Sequence, residues 1–380
     1  MNRTRASVVL GGMVLVFAFA SLAWAQDKPA GEIDWNYARQ LHQKEQKGEP
    51  LTPEEKAYLD RAKAEIARRP IEGPGALPPA MPATGLVPLD QMTAGDRYKG
   101  EDGGLYGGGK NAPPEAHAKA ALKELARIAP LDAAGKPSPD GKIVLVSLGM
   151  SNTTQEFQEF MKLALRDPDR NPKLVIVDLA QGGQAAKQWS TPEMNAWTEA
   201  DRRIRAAGVT PEQVQAMWLK QADMGPARYG EFPKHAEVLR DNVIADLTLA
   251  KQRYPNLRVA YLSSRIYAGY ATSGLNPEPY AYEGAFAMRW VIQSQIKGDA
   301  KLNFDPAKGE VKAPVLLWGP YLWADGTTPR RSDGLIYKND EFGPDGTHPA
   351  MPARLKVAKL LLEFLKTNPL AKGWFLKEKP

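Results

Sequence analysis

The sequence predicts an α/β fold: a parallel sheet of five strands covered by helices on both faces. Three features of residues 142–367 predict it. Short apolar runs of strand length recur at Lys142–Ser147, Leu174–Asp178, Gln215–Leu219, Arg258–Ser263 and Pro314–Trp318. Helical patterns separate them, at Thr154–Leu165, Pro192–Ala207, His235–Tyr254 and Tyr282–Ile296, and a last one, Ala353–Lys366, closes the domain. Consecutive strands are thus joined by helices, which parallel pairing requires. No internal repeat is visible.

Taken in order, the chain opens with an export signal. Arg3 and Arg5 precede an apolar stretch from Val8 to Leu22, and Ala23-Trp24-Ala25 is a small-x-small cleavage site before Gln26. The stretch of 15 residues is shorter than the roughly 20 a spanning helix needs. Residues 1–25 are therefore expected to be removed, leaving a secreted or periplasmic protein with no membrane association. Residues 26–138 predict an extension with little core of its own. In it, Thr52, Pro53 and Glu55 mark a helix start over "LTPEEKAYLDRAKAEIARR". "RPIEGPGALPPAMPATGLVP" follows as an extended, Pro-rich linker, and Pro114–Ile128 predicts a second helix. The sheet domain then occupies 139–370.

Composition excludes several classes. At 43% hydrophobic residues the chain has ample side chains for a core. It has no cysteine, so neither disulfides nor thiol chemistry can operate. Loss of the two leader arginines reduces the formal charge from +6 to about +4. That excess is scattered, without a basic run, and no nucleic-acid partner is expected.

Two motifs fail on mechanism. "GLYGGGKN", Gly104 to Asn111, nearly fits a phosphate-binding loop. Asn111 stands where a magnesium-binding hydroxyl belongs, no apolar strand precedes it, and Ala-Pro-Pro follows instead of a helix. A glycine-rich surface loop is the expectation. The late loop carries Asp325, Asp333, Asp340 and Asp345, three of them before glycine. Their spacing does not match a calcium loop, and Asp-Gly is an ordinary turn pair. Neither metal nor cofactor is expected.

Four polar features fall just after strand ends, on the edge where open α/β sheets bind ligands. Ser151 follows the first strand, Gly182-Gly183 the second, Gln221 the third, and Asp345 with His348 the fifth. Singly, each is an ordinary turn or cap residue; together they suit nucleophilic catalysis. A serine hydroxyl needs a base to remove its proton. Of four histidines, His42 and His117 lie in the extension, and His235 begins a helix with a surface or capping role. His348 remains as the base, with Asp345 to orient its ring. Backbone N–H groups of Ser151 and Gly183 would hold a developing oxyanion. The G-x-S-x-G elbow of ordinary α/β-hydrolases is absent, because Thr153 stands at its second glycine.

Ser151 in "GMSN", Gly183 in "AQGGQ" and the late "DGTHP" resemble the blocks of the SGNH (GDSL-like) hydrolases. "GMSN" is closest to the G-Q-S-N start of the sialate O-acetylesterase and acetylxylan-esterase branch. The resemblance covers roughly 142 to 367. It implies a flavodoxin-like three-layer α/β/α sandwich and hydrolysis of an ester, often an O-acetyl group on a carbohydrate. It also implies Ser151 as nucleophile, His348 as base, Asp345 as its partner, and Ser151 and Gly183 N–H as two of three oxyanion donors. One block departs: the third usually offers Gly-x-Asn-Asp or Gln-Gly-Glu, whereas Trp218–Asp223 has neither glycine nor asparagine. Gln221 is the candidate replacement donor. Asn152, Trp189 and Trp323, with Trp318 and Tyr321, are candidates for contact with a sugar. The expected partner is a small ester or acetylated glycan. The competing reading is a glycan-binding protein that keeps the fold with weakened catalysis.

Overall fold

The computed structural model describes residues 33–34, 37–38, 40–41, 44, 50–68 and 80–377. The predicted signal peptide and most of the Pro-rich linker lie outside them. The chain divides into two compact units, Met1–Pro70 and Ile71–Pro380.

In the first unit, helix α1 (Pro53–Arg68) begins as its sequence predicts. Thr52 Oγ1 accepts from Glu55 N at 3.2 Å, and a Glu55 carboxylate oxygen accepts from Thr52 N at 3.0 Å. Each end of this reciprocal box satisfies an N–H that the helix leaves unpaired. Leu59 and Ala62 are buried on one side of α1, and Tyr58 meets Tyr37 edge-on.

The second unit holds the predicted five-stranded parallel sheet, and its strands run in the order β2-β1-β3-β4-β5. Its strands are β1 (Ile143–Gly149), β2 (Leu174–Asp178), β3 (Val214–Lys220), β4 (Val259–Ser263) and β5 (Val315–Trp318). The helices, numbered on from α2 (Glu115–Leu125), are α3 (Ser151–Arg166), the one-turn α4 (Ala186–Trp189) and α5 (Asn195–Ala206). Then come α6 (Lys234–Arg253), α7 (Tyr280–Ile296), α8 (Met351–Thr367) and the short α9 (Lys372–Phe375). Helix α3 packs on α8, and α6 on α7. Strands β1, β3, β4 and β5 are buried at every position, the mark of a sheet covered on both faces. The core includes Phe157, Phe160, Trp197, Trp218, Tyr261 and Phe286, each fully buried Phe contributing roughly 1.5–3 kcal/mol.

The boundary expected near residue 139 is absent. Leu89, Met92, Leu105, Ala121 and Leu131 are buried with the sheet unit, the first four of them in the sheet's own core. Trp318 donates its indole N–H to Leu105 O at 2.6 Å, and His117 Nε2 lies 2.8 Å from Leu316 O on β5. Asp325 accepts from Thr84 N at 2.6 Å and Gly85 N at 2.8 Å. Residues 80–138 are therefore part of the sheet unit. Their apolar side chains are spread singly along a polar segment, which gives no periodic signal. The glycine-rich segment is likewise held in place, since Asn111 donates to Asp90 O and accepts from Leu105 N.

Candidate active site

Strand β1 delivers Ser151 to the carboxyl rim of the sheet. Helix α3 starts at Ser151 itself, three residues ahead of the predicted Thr154, without a side-chain cap at Met150. Close approach of β1 and β3 makes this turn. A Cβ on Gly149 would lie 2.2 Å from Lys220 O and 2.5 Å from Thr153 Oγ1, so no larger residue fits. Thr153 fills the space by donating to Lys220 O at 2.7 Å. Ser151 thereby occupies the first helical position, where the backbone N–H has no intrahelical acceptor and the helix end carries partial positive charge.

The loop before α8 brings the histidine to the same place. Phe342 and Pro349 pair as a bridge, and Gly343 N donates to His348 O at 2.8 Å. Gly346 sits at φ 60°, where a Cβ would lie 1.7 Å from Tyr270 O; only glycine can occupy that turn. Asp345 Oδ1 accepts from the N–H groups of Thr347 (3.1 Å) and His348 (3.0 Å). Its Oδ2 accepts from His348 Nδ1 at 2.5 Å, and His348 Nε2 lies 2.8 Å from Ser151 Oγ. This network places the imidazole proton on Nδ1 and leaves Nε2 to accept from the serine. Burial acts to raise the Asp345 carboxyl, but the His348 hydrogen bond and charge, with the two backbone N–H bonds, hold it at about 2. The His348 and Asp345 side chains are 30% and 40% exposed, so the three groups meet at a rim open to solvent.

Gly183 lies on the neighbouring turn. Gln181 N donates to Gly149 O at 3.0 Å, and Gln184 N to Gln181 O at 3.2 Å, which pins the exposed Gly182-Gly183 tip beside the end of β1.

Seven other residues lie elsewhere than expected. Gln221 is buried, and its amide donates to Asp246 at 3.1 Å, so the side chain is turned under α6 and does not present its N–H at the rim. Asn152 has no exposed surface and donates to Thr347 O at 3.0 Å; it ties α3 to the histidine loop and cannot touch a sugar. Trp189 is fully buried, its indole N–H shared between Gly149 O and Gln184 O at 3.1 Å each. Trp323 is fully buried and donates to Glu278 at 2.8 Å. Trp318 and Tyr321 are also core residues. In each case the large apolar ring is worth more to the core than to an exposed platform. His235 is no surface cap either; it is buried with Nε2 2.7 Å from Glu283.

The sequence reading missed the buried charges behind this rim. Lys220 Nζ lies 2.6 Å from Glu156 Oε1 and also touches Oε2, with both side chains fully buried. Burial lowers the lysine to about 8 against the pull of Glu156. Asp178 accepts from Ser147 Oγ at 2.5 Å and from Thr154 Oγ1, and burial raises its carboxyl. Glu278 accepts from Ala268 N, Tyr282 N and Trp323 Nε1. A charge closing an apolar strand, as Lys220 closes β3, was the available signal, because such a group must find a partner.

No protein-family model matches the chain, and no curated protein matches it. Solved structures do, distantly. A proposed acylhydrolase of Bacteroides fragilis is 14% identical, covering 68% of this chain and 100% of its own, at TM-score 0.33. A salicylyl acyltransferase of a tetracycline biosynthetic pathway is 14% identical over 62% of this chain and 58% of its own, at TM-score 0.32. A lipase from a goat rumen metagenome is 11% identical over 58% of this chain and 96% of its own, at TM-score 0.30. Likeness at this level carries no conclusion about activity.

Proposed function

We propose that this chain is a serine esterase of the SGNH type, secreted or periplasmic, acting on a small acyl ester such as an O-acetyl group on a carbohydrate. The observation that carries the reading is the continuous hydrogen-bonded line from Ser151 Oγ through His348 to Asp345, assembled from the turn after β1 and the loop before α8. His348 Nε2 takes the Ser151 proton as Oγ bonds to the acyl carbon. The carbonyl oxygen becomes an oxyanion, held by the N–H groups of Ser151 and Gly183 at the positive end of α3. Collapse of that intermediate breaks the bond to the alcohol oxygen, which leaves with the proton from His348. Water then repeats the sequence on the acyl-serine, giving the carboxylic acid and free Ser151. Asp345 stays ionised throughout and stabilises the imidazolium.

A fluorophosphonate should label the purified protein at Ser151, and p-nitrophenyl acetate should be turned over by wild type and not by Ser151→Ala. Equal rates in the two would remove Ser151 from the chemistry. The second reading, a glycan-binding protein with weakened catalysis, is favoured by one observation: Gln221, the candidate third donor, is held by Asp246. Slow turnover with intact fluorophosphonate labelling would support it.

A further inference from the structure

Arg265 follows β4 by two residues and is a buried cation (2% exposed) without an ion pair among the described residues. The carboxylates whose charge reaches it are Glu156, Glu278 and Asp345, and each is bound elsewhere. Glu156 holds Lys220, Glu278 holds Trp323 and two backbone N–H groups, and Asp345 holds His348. Its Nε has no hydrogen-bond partner among the described residues. Burying an unpaired guanidinium is costly, so a residue so placed calls for a physical reason. Among the described residues the one group it addresses is Thr347 O, which accepts from Nη2 at 3.4 Å. The same oxygen accepts from Asn152 Nδ2 at 3.0 Å. Thr347 immediately precedes His348, and Asn152 immediately follows Ser151. One buried carbonyl therefore joins the neighbour of the nucleophile to the neighbour of the base, with a cation behind it.

We propose that Arg265 and Asn152 are positioning residues that clamp the Thr347 carbonyl and so hold His348 within proton-transfer distance of Ser151. The proposal rests on the esterase reading. Neither side chain touches the reacting atoms; both act through the His348 loop. Because a misplacement of about 1 Å can cost roughly 100-fold in rate, the clamp should appear in kcat and not in KM.

The test is steady-state hydrolysis of p-nitrophenyl acetate by the full chain. Arg265→Met is expected to lower kcat by about 10- to 100-fold while KM changes less than about threefold. Arg265→Lys, which keeps the charge and a donor, should recover most of the loss. Asn152→Ala should lower kcat in the same manner, and the double variant should lose less than the product of the single losses, because both act on one oxygen. A folded Arg265→Met variant with wild-type kcat, or with a change in KM alone, overturns the proposal. If Arg265→Met does not fold, an unchanged kcat in Asn152→Ala overturns it instead. Ser151→Ala separates the two failures: turnover surviving that substitution removes the esterase reading, whereas its loss alongside an unaffected Arg265→Met removes only the clamp.

Discussion

The polar groups that follow β1 and those that follow β3 leave adjacent strands of one sheet, yet their surroundings are opposite. Ser151, with His348 and Asp345 brought to it, stays at a rim open to solvent. Gln221 and Asp223 turn under α6, where Asn242 and Asp246 meet them in the buried interior. The difference originates in the backbone. Gly149 lets the chain reverse at the rim and start a helix there, while Ala222 O is taken by Ala186 N, which draws the post-β3 segment inward. Polar chemistry is thus divided between a half-wet site that can meet a molecule from solvent and a buried one that can only hold the fold. Substitutions in the two regions should differ accordingly.

The largest effect should come from the open rim. Asp345→Asn keeps the shape but loses the charge that stabilises the imidazolium, and it favours the wrong tautomer of His348. Turnover of p-nitrophenyl acetate should fall on the order of 10⁴-fold, with little change in melting temperature because the carboxylate is partly solvated. Turnover by the Asp345→Asn variant within tenfold of wild type would show that the hydrogen-bonded line is not the catalytic path.

The buried side of the comparison should show the reverse. Lys220→Met strands the Glu156 carboxylate in the core, and removing one partner of a buried pair costs about 3–5 kcal/mol. Chemical denaturation should register that loss, and adding Glu156→Leu should restore much of it by removing the orphaned charge. Equal instability of the single and double variants would show that the ion pair is not what the interior depends on.

Between these lies a pH effect at Glu278. Burial raises its carboxyl to about 7, against hydrogen bonds from Trp323, Ala268 and Tyr282 and the charge of Arg265. Between the ordinary value of 4.5 and about 7 the folded protein keeps a proton that the unfolded chain has lost. Stability from this group therefore falls as pH rises through that window and levels off above it, by roughly 3 kcal/mol. Glu278→Gln should be less stable overall, since its amide nitrogen would face N–H donors, yet its stability should vary less between pH 4.5 and about 7. A slope identical to wild type would assign the titration elsewhere.

How far the sequence led depends on which forces were local. The five strands and their helices were legible because apolar runs and helical periods are written contiguously, and all five strands lie within two residues of their expected ends. Ser151, His348 and Asp345 were legible because turn chemistry and a scarcity of histidines isolated them. The tryptophans were misread because a strand-end position does not say which way a ring points, and Trp189 and Trp323 each found a buried acceptor. Arg265, Glu156 and Lys220 left little trace because their partners lie 64 to 82 residues away. Long-range compensation of buried charge has no period for a sequence reading to detect.

The smallest expected effect bears most directly on the two regions compared. If Gln221 were a third oxyanion donor, Gln221→Met would cost roughly 100- to 1000-fold in kcat. The structure commits its amide to Asp246, whose carboxyl is fully buried and raised well above its ordinary value, first by burial and then by the Asp223 charge. A neutral Asp246 can pair with an amide on both edges, accepting through one oxygen and donating through the other, and the unpartnered Oε1 of Gln221 and Oδ1 of Asp246 suit that arrangement. Gln221→Met would then leave kcat within about threefold of wild type and remove about 1–3 kcal/mol of stability by stranding Asp246. A large kcat loss at unchanged stability would bring Gln221 back to the rim and require the turn after β3 to open when substrate binds.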